Sequence, residues 1–288
     1  MKQEEATCIF YKYRSLAKES KKYLLDSLKN KYLYFPTPAE VNDPFDCKFT
    51  LEFEATDKEI LAAIKIAKKR NKNLVLDTVD KVRKAIKDGS IRRMYDKKID
   101  TITSSYHLFS VSRNELNEAM WAHYAQSYTG ICLGYQAELS GKTYSFQSCN
   151  IKKSKTQSSF DFAKESLVLN KISYDNDGTH KVNIFKLNED ISKESILYSL
   201  EHKKINWQYE EEFRCEKIFE DVNKQCFVYY PDTLLKEVLF GYRITPENKT
   251  EITEIIKENY ANFDEIDFFD VVPNLQTYQL EKRKITLS

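Results

Sequence analysis

Apolar residues alternate with polar ones, or form short apolar runs, in many segments of the chain, and these patterns predict β-strands. The segments are 7–16, 31–35, 106–112, 131–135, 166–175, 210–219, 225–230, 235–244 and 266–272. Longer segments repeat their apolar residues every three or four positions, which predicts helices. They are 20–30, 56–73, 77–90, 114–130, 185–203 and 246–261. Residues 136–160, rich in Ser and Lys, predict a long loop or a hairpin.

The order of these elements predicts an α+β fold with a mixed, mostly antiparallel sheet and helices packed on it. Strands recur along the chain without the regular strand–helix alternation of a parallel sheet, and no glycine-rich phosphate loop is present. We expect one domain over residues 1–288, in which the Lys-rich helices of residues 55–100 form a basic insertion or lid.

The composition is that of a globular protein, since 41% of the 288 residues are hydrophobic and 13% are aromatic. The 45 basic and 44 acidic residues give a net charge of +1, so the whole chain has no general preference for nucleic acids or anionic membranes. The charges are unevenly placed: residues 65–98 carry thirteen Lys and Arg against four Asp, and residues 247–270 carry eight acidic residues against two Lys. The basic segment is either a solvated helix surface or a contact for nucleic acid.

The six cysteines are scattered, with no Cys-x-x-Cys pair and no His at a zinc-binding interval. Most lie in apolar segments, which predicts buried free thiols. The first residues contain no apolar stretch of signal-peptide length, and no segment approaches the length of a membrane span. We therefore expect a protein of the reducing cytoplasm without a membrane anchor.

The densest group of charges lies in residues 204–217, KINWQYEEEFRCEK. If residues 210–216 form a strand, Glu210, Glu212 and Arg214 share one face. The core-like Phe213 and Cys215 then lie on the opposite face. The charged face is either solvated, with Glu and Arg paired across strands, or the wall of a pocket in which a carboxylate stabilises positive charge. The spacing alone does not decide between the two.

A second dense stretch, MWAHYAQSYTGICLGY, places Trp121 and Tyr124 as neighbours on a helix, a pattern typical of core residues. His123 has no partner at a metal-ligand interval, so we expect it to contact a substrate or to make a structural hydrogen bond. Asp43 and Asp46 fit a turn around Pro44. Motifs of serine, metallo- and cysteine hydrolases are absent from the sequence.

Four motifs together resemble a family of bacterial and phage proteins known as domain of unknown function 2971. They are YKYRSL, LYFPTPAEVNDPFDC, FSVSRNELNEAMWAHYAQSYTGICLGY and KKINWQYEEEFR. The resemblance runs from about Phe10 to Arg243, and its two most specific patterns are W-x-H-Y-x(5)-G and W-x-Y-E-x-E-F-R.

The organisation of that family looks like that of NAD-dependent ADP-ribosyltransferases, which carry an Arg or His on a first strand, a Ser or Thr on a second and a Glu on a late strand. Carried over by position, the resemblance implies Arg14 for the first strand. It implies Ser110 or Ser112 for the second strand, and Glu212 or Glu210 as the catalytic carboxylate. The second strand lacks a complete Ser-Thr-Ser triplet.

Cleavage of the bond between nicotinamide and ribose passes through an oxocarbenium-like centre, which a carboxylate stabilises. The resemblance therefore implies NAD as substrate, with Arg14 on a phosphate and aromatic rings stacked on the bases. The candidate NAD-binding residues are Arg14, Ser110, Ser112, Trp121, His123, Tyr124, Trp207 and Arg214.

The resulting hypothesis is an ADP-ribosyltransferase or NAD glycohydrolase that acts as a toxin or antiphage defence effector. If the acceptor is a nucleic acid, the basic residues 65–98 could guide it to the site. Glu212 is the preferred catalytic residue because Arg214 follows it on the same face, and Glu210 is the second choice. Two alternatives stay open. One is a binding module for a nucleotide or nucleic acid that does no chemistry. The other is a Mg²⁺-dependent nuclease using Asp43, Asp46 and the paired glutamates.

Overall fold

The computed structural model describes residues 6–152, 161–176, 180–186, 198–218 and 226–286. The strands are β1 (Thr7–Arg14), β2 (Tyr32–Tyr34), β3 (Phe49–Glu52), β4 (Tyr106–Ser112), β5 (Ile131–Ser140), β6 (Thr143–Lys152), β7 (Asp161–Lys171), β8 (Ser173–Asp175), β9 (His180–Asn183), β10 (His202–Lys204), β11 (Glu212–Ile218), β12 (Phe227–Tyr229), β13 (Leu235–Phe240), β14 (Asp267–Asn274) and β15 (Gln279–Lys284). The helices are α1 (Lys18–Asn30), α2 (Asp57–Arg70), α3 (Val79–Lys87), α4 (Ser90–Thr103), α5 (Glu118–His123) and α6 (Pro246–Asn259). Residues 198–201 are also helical, and 3₁₀-helices span Ile205–Glu210, Asp232–Leu234 and Phe263–Glu265.

The main sheet confirms the predicted mixed, mostly antiparallel arrangement. Its strand order among the described residues is β15-β14-β13-β5-β1-β4-β11-β7-β6-β12-β2, and β13 and β14 form its parallel pair. The last residues of β5 also pair with β6 in a hairpin. This pairing closes β5, β1, β4, β11, β7 and β6 into a ring of strands.

The interior of this ring holds the main hydrophobic core, to which α1 and α6 add apolar side chains from outside. Phe10 of β1 lies near its centre, with the ring of Phe213 at 4.9 Å and that of Phe146 at 6.1 Å, both edge-on. Burying each such aromatic or aliphatic side chain contributes about 1.5–3 kcal/mol. The alternation that places Phe213 in this core turns its neighbours in β11 to the other face of the sheet.

The basic helices α2, α3 and α4 pack around a second hydrophobic core. Thr56 forms a capping box with Glu59 at the start of α2, and the side chain of Thr78 caps α3. The core also includes residues of β3 and β9, together with Cys47, Tyr106 and Leu200 from outside the predicted insertion. The helical segment is therefore joined to neighbouring elements by a shared core that extends beyond residues 55–100.

The predicted helix over 114–130 is wrong in length, because only Glu118–His123 is α-helical. Gln126, Ser127 and Tyr128 adopt left-handed backbone conformations, which turn the chain sharply. A Cβ atom on Gly130 would lie 2.2 Å from the carbonyl oxygen of Arg14. The segment therefore ends where its backbone meets β1, an approach that only a glycine permits.

The predicted strand over 210–219 is wrong at its start, since Glu210 ends a 3₁₀-helix and β11 begins at Glu212. Between them Glu211 has a φ of 44°, which reverses the direction of the chain. The predicted hairpin within 136–160 is formed by β5 and β6, and residues 153–160 lie outside the described residues. Most of the predicted helix over 185–203 also lies outside them.

The described cysteines are free thiols, and four of the five are buried as expected: Cys47, Cys132, Cys215 and Cys226. The side chain of Cys149 lies outside the described part of the structure. Among the described residues, no helix combines the length and the apolar character that crossing a membrane requires.

Candidate active site

The three strands that carry the candidate residues, β1, β4 and β11, are consecutive neighbours in the sheet. In the pairing of β4 with β11, Ser112 lies opposite Glu212 and Ser110 lies opposite Arg214. These four side chains therefore share the sheet face that points away from the main core. The sequence predicted this face correctly for Glu212 and Arg214, whereas Glu210 reaches it from the 3₁₀-helix.

Burial excludes the solvated-surface interpretation of this face. The exposed fractions are 3% for Glu210, 4% for Glu212 and 1% for Arg214. Charged groups so far from water are costly unless each has partners of opposite charge and hydrogen bonds. The surrounding residues provide both.

Arg214 is held by hydrogen bonds in every direction in which its guanidinium can donate. Its Nε and Nη2 donate to Glu212 at 2.6 and 3.1 Å. Its Nη1 and Nη2 donate to Asp46 at 3.1 and 2.6 Å, and Nη1 also donates to the carbonyl oxygen of Leu200 at 2.7 Å. These contacts use all five N–H groups. Arg214 thus positions the two carboxylates, and no donor is left over for the phosphate-binding role that its place among the candidate NAD contacts would require.

Lys203 is a second buried cation that the sequence interpretation missed. Its Nζ lies 2.6 Å from Glu210, 3.0 Å from Glu212 and 3.4 Å from Asp46. The opposite charges outweigh the effect of burial and raise the pKa of this ammonium group. Lys203 is therefore a fixed positive charge between three carboxylates.

The sequence interpretation placed Asp46 with Asp43 in the turn around Pro44, or in the nuclease alternative, and did not pair it with Arg214 and Lys203. Asp43 accepts a hydrogen bond from the backbone N–H of Phe45 at 2.9 Å, as expected of a turn residue. Asp46 instead turns inward to Arg214 and Lys203. One signal could have identified it: a carboxylate two residues after a proline and directly before the apolar Cys47.

The two glutamates have opposite tendencies to ionise. Burial opposes the charge of Glu212, but Arg214 and Lys203 outweigh it and hold its pKa well below the usual range. Burial raises the pKa of Glu210, and the charge of Glu212 adds to this effect while Lys203 opposes it. Pairs of carboxyl groups whose pKa values are pushed apart are typical of sites that perform acid–base or electrostatic catalysis.

Tyr124 connects Glu210 to the loop that carries Asp46. Its hydroxyl donates to Oε1 of Glu210 at 2.5 Å and accepts from the side-chain amide of Asn42 at 2.9 Å. Since the other oxygen of Glu210 is bound by Lys203, the carboxyl group is fixed at both ends. Tyr124 therefore orients Glu210 in addition to any contact that it makes with a ligand.

These groups line a cavity of about 220 Å³, whose wall includes Lys12, Ser110, Ser112, Tyr124, Glu210 and Glu212. A larger cavity of about 580 Å³ lies beside it and is lined by Arg14, serines and a group of aromatic side chains. Lys12, Tyr13 and Tyr124 line both cavities. β1 and β4 pair only at Tyr11 and Ser112, so the strands separate beyond this point and leave the space that the cavities occupy.

Arg14 lines the larger cavity and not the smaller one. It alternates with Tyr11 and Tyr13 along β1 and so points away from the face that carries Ser112. Burial lowers the pKa of its guanidinium, and the nearby Tyr135, Tyr230 and Tyr32 oppose this effect. Ser110 and Glu212 thus share one cavity, whereas Arg14 approaches it from the adjoining one.

The remaining aromatic candidates lie outside both cavities. Trp121 is 0% exposed and its indole N–H donates to the carbonyl oxygen of Glu115, so it is a core residue without a free face for stacking. Trp207 is half-buried with Lys203 5.1 Å above its ring. His123 is exposed and its ring lies 6.5 Å from that of Tyr209. Tyr124 is thus the aromatic candidate that the structure brings to the carboxylates.

The described part of the chain contains no group of three or more His, Cys, Asp or Glu arranged to hold a metal ion. Asp46, Glu210 and Glu212 are close together, but Lys203 and Arg214 occupy the space between them. These two cations supply positive charge to the three carboxylates.

Residues 120–215 match the family described as "Protein of unknown function (DUF2971)". This match supports assignment to the family that the motifs resemble, and it includes Tyr124, both candidate glutamates, Lys203 and Arg214. No curated protein and no solved structure matches the chain.

Proposed function

We propose that this protein cleaves the bond between nicotinamide and ribose in NAD and transfers the ADP-ribose group to an acceptor or to water. One observation carries the proposal: two buried carboxyl groups, whose pKa values are shifted in opposite directions, line a cavity that adjoins a larger, arginine-containing cavity of nucleotide size. The ADP-ribosyltransferase-like organisation implied by the sequence resemblance gives these residues their roles.

The larger cavity suits the adenosine diphosphate part of the substrate. Its volume of about 580 Å³ lies within the usual range of small-molecule sites. Arg14 supplies a planar fork of donors for a phosphate group, and the rings of Tyr32 and Phe227 line the same wall for a base. The nicotinamide riboside then reaches the smaller cavity past Lys12 and Tyr124.

Glu212 stabilises the positive charge that develops on the ribose carbon. As the carbon–nitrogen bond breaks, its electron pair stays with the nicotinamide nitrogen, which loses its positive charge, and the ribose becomes an oxocarbenium-like cation. Arg214 and Lys203 keep the Glu212 carboxylate ionised and fixed before the reaction begins. Because this charge is already in place, no rearrangement is needed as the reaction proceeds. The carboxylate interacts most strongly with the transition state, where the positive charge on the ribose is largest, and so lowers the barrier.

The experiment measures release of nicotinamide from NAD by the purified protein and by Glu212→Gln. We expect release by the unmodified protein and a decrease of at least about 100-fold in the variant, the usual effect of removing one electrostatic contact to a transition state. Glu254→Gln on the exposed surface of α6 is the matched control and should retain full activity. The proposal is refuted if the unmodified protein yields neither nicotinamide nor a modified acceptor, or if Glu212→Gln is as active as the control.

Loss of folding must be separated from loss of chemistry, because Glu212 is part of a buried charge group. Tyr124→Phe leaves all the buried charges in place and removes only the hydroxyl that orients Glu210. Thermal unfolding of each variant identifies those that fold. A folded Tyr124→Phe protein with reduced nicotinamide release supports the roles assigned to the two glutamates.

The acceptor that we propose is a nucleic acid guided by the basic helices. Between Lys65 and Lys98 all the Lys and Arg except Lys98 are exposed, and two of them, Lys81 and Arg83, form ion pairs. Binding of RNA or DNA by this surface should weaken steeply with added salt, because neutralised phosphates release counterions. Reversal of Lys68 and Lys69 to Glu should abolish it, while binding that persists unchanged would exclude this surface.

As an effector in a toxin or antiphage system of the cytoplasm, the protein would lower cellular NAD or modify its target when expressed. The measurement is the NAD content of cells after induction of the unmodified protein and of Glu212→Gln. Equal NAD content and equal growth in both would refute the effector role.

One observation favours the alternative of a nucleotide-binding module without catalysis. Asp46 forms ion pairs with both Lys203 and Arg214, an arrangement that is also found where buried charges have only a structural role. Binding of NAD in calorimetry without any product in mass spectrometry would decide for this alternative. The nuclease alternative has no comparable support among the described residues.

A further inference from the structure

Lys12 lies where the two cavities meet and lines both of them. Its Nζ donates one hydrogen bond, to the backbone carbonyl oxygen of Ser110 at 2.6 Å, and lies 4.9 Å above the ring of Phe109. The ion pairs of the described residues do not include Lys12. A partly buried ammonium group without a carboxylate partner is unusual, because one carbonyl oxygen and one aromatic ring replace only part of the hydration that it loses.

The surroundings of Lys12 disfavour its charged form. Burial lowers the pKa of its amine to about 7, and the positive charge of Arg14 adds to the effect. Glu212 and Glu210 oppose the shift, and Lys203 reinforces it. Near neutral pH the amine is therefore free of its proton for a large part of the time.

The charged groups that line the two cavities include both signs. The acids are Glu40, Asp46, Glu210 and Glu212, and the cations besides Lys12 are Arg14, Lys203 and Arg214. The carboxylates Asp46 and Glu212 are bound to Arg214 and Lys203, so they offer Lys12 less compensation than their number suggests. Glu40 is bound by the hydroxyl of Tyr34 and the backbone N–H of Thr37.

Comparison with Lys203 shows that position, and not residue type, decides the role. Both lysines line the smaller cavity, but Lys203 contacts three carboxylates and its pKa is raised. Lys12 contacts a neutral carbonyl oxygen, and its pKa is lowered. Lys203 is a permanent cation, whereas Lys12 can accept and release a proton within the physiological range.

We propose that Lys12 is a catalytic base, whose uncharged amine accepts the proton of the hydroxyl group that attacks the ribose carbon. The inference rests on the proposed function and adds the group that activates the acceptor. The attacking oxygen forms its bond to the ribose carbon and passes its proton to Nζ, while the electron pair of the broken carbon–nitrogen bond leaves with nicotinamide. The ammonium group then returns the proton to solvent through the larger cavity.

The first experiment needs no catalysis and no ligand. Protein labelled with ¹³C at the ε-carbon of lysine is titrated by NMR, and the signal of Lys12 is identified by its absence from Lys12→Met. We expect one signal to titrate near pH 7, well below about 10.4, the ordinary pKa of a lysine side chain. A Lys12 signal that titrates together with the exposed lysines would overturn the inference.

The second experiment compares the pH dependence of kcat/KM for NAD in the unmodified protein, Lys12→Met, Lys12→Arg and the surface control Lys257→Met. The unmodified protein and the control should lose activity as the pH falls below about 7, since the amine becomes protonated. Both Lys12 variants should lose this dependence and about 100-fold or more of kcat/KM, the typical contribution of a general base. Lys12→Arg keeps a positive charge at the site but cannot accept a proton, so its failure to restore activity separates base catalysis from binding.

The two proposals fail in different ways. If the unmodified protein releases no nicotinamide, the proposed function and the role of Lys12 in it are both refuted. If it releases nicotinamide and Lys12→Met keeps the same pH profile, the Lys12 inference alone is refuted. Thermal unfolding confirms that Lys12→Met is folded, and Lys12→Arg provides a second variant if it is not.

Discussion

Substitution of Arg214 by Met tests whether the buried charges are a mutually dependent group. The change keeps an unbranched side chain of similar length but removes five donors to Asp46, Glu212 and Leu200. Three carboxylates then remain near a single fixed cation, Lys203. Removal of one partner from a buried ion pair typically costs about 3–5 kcal/mol, because the other charge stays buried without compensation.

The cost should depend on pH in a direction that follows from the pKa of Glu212. In the unmodified protein this pKa is held below its usual range, so the carboxylate stabilises the fold at pH values above about 4.3, the ordinary pKa of Glu. This stabilisation is lost as the pH falls toward the lowered pKa of the folded state. The difference between Arg214→Met and the unmodified protein should therefore be largest near pH 7 and smaller at pH 4.

The assay is urea unfolding followed by circular dichroism at pH 7 and at pH 4, with a matched control and a double variant. Arg243→Met, on the exposed surface, should change the free energy of unfolding by less than about 0.5 kcal/mol. The double variant Asp46→Asn/Arg214→Met should lose less free energy of unfolding than the sum of the two single variants. The charge that one substitution leaves unpaired is removed by the second substitution. A cost below about 1 kcal/mol at pH 7, or an equal cost at both pH values, would refute the reasoning.

Three further predictions concern single contacts. Tyr124→Phe should lower the free energy of unfolding, measured by chemical denaturation, by about 1.5–3 kcal/mol, the usual contribution of a hydrogen bond to a charged group. An unchanged free energy of unfolding would mean that the bond to Glu210 is not formed. Gly130→Ala should lower the melting temperature far more than Gly141→Ala. An added Cβ meets a backbone oxygen at 2.2 Å at Gly130, whereas at Gly141 it meets nothing within 4 Å and only the left-handed φ of 66° costs about 1–2 kcal/mol. Similar melting temperatures would contradict this close approach. Burial raises the pKa of Glu216 to about 7, so the folded state is destabilised as the pH rises and this carboxyl group must lose its proton. Glu216→Gln should therefore be more stable than the unmodified protein at pH 8 but not at pH 4. A variant that gains no stability at pH 8 would contradict the assignment.

Local signals in the sequence located most helices and strands. Thr245 followed by Pro246 marks the start of α6, and Thr56 with Glu59 marks that of α2, because capping groups act on backbone N–H groups within one turn. The same local reasoning failed over 114–130, where contact between Gly130 and the distant β1 ends the segment. A clash between residues far apart in sequence leaves no periodic pattern to detect.

The candidate site was recognised in part. The alternation of β11 correctly placed Glu212 and Arg214 on one face, since side-chain direction in a strand depends only on spacing. The sequence did not predict that Asp46 pairs with Arg214, which lies 168 positions away. It did not identify Lys12, whose partner is a backbone carbonyl oxygen 98 positions away. For Trp121 the helical spacing favoured the core and the family resemblance implied a ligand contact, and burial places this side chain in the core.

The sequence by itself determined the α+β class, the alternating charged and apolar faces of the late strand and the basic character of the helical segment. Only the tertiary structure decided that the charged face is buried, that two cations lie among its three carboxylates, and that Lys12 pairs with no carboxylate of the described residues. The physical reason is that the ionisation of a side chain depends on its solvation and on charges within a few ångströms, and both are set by strand order and packing. Residue types specify which charges are present, whereas their arrangement in space specifies which of them can do chemistry.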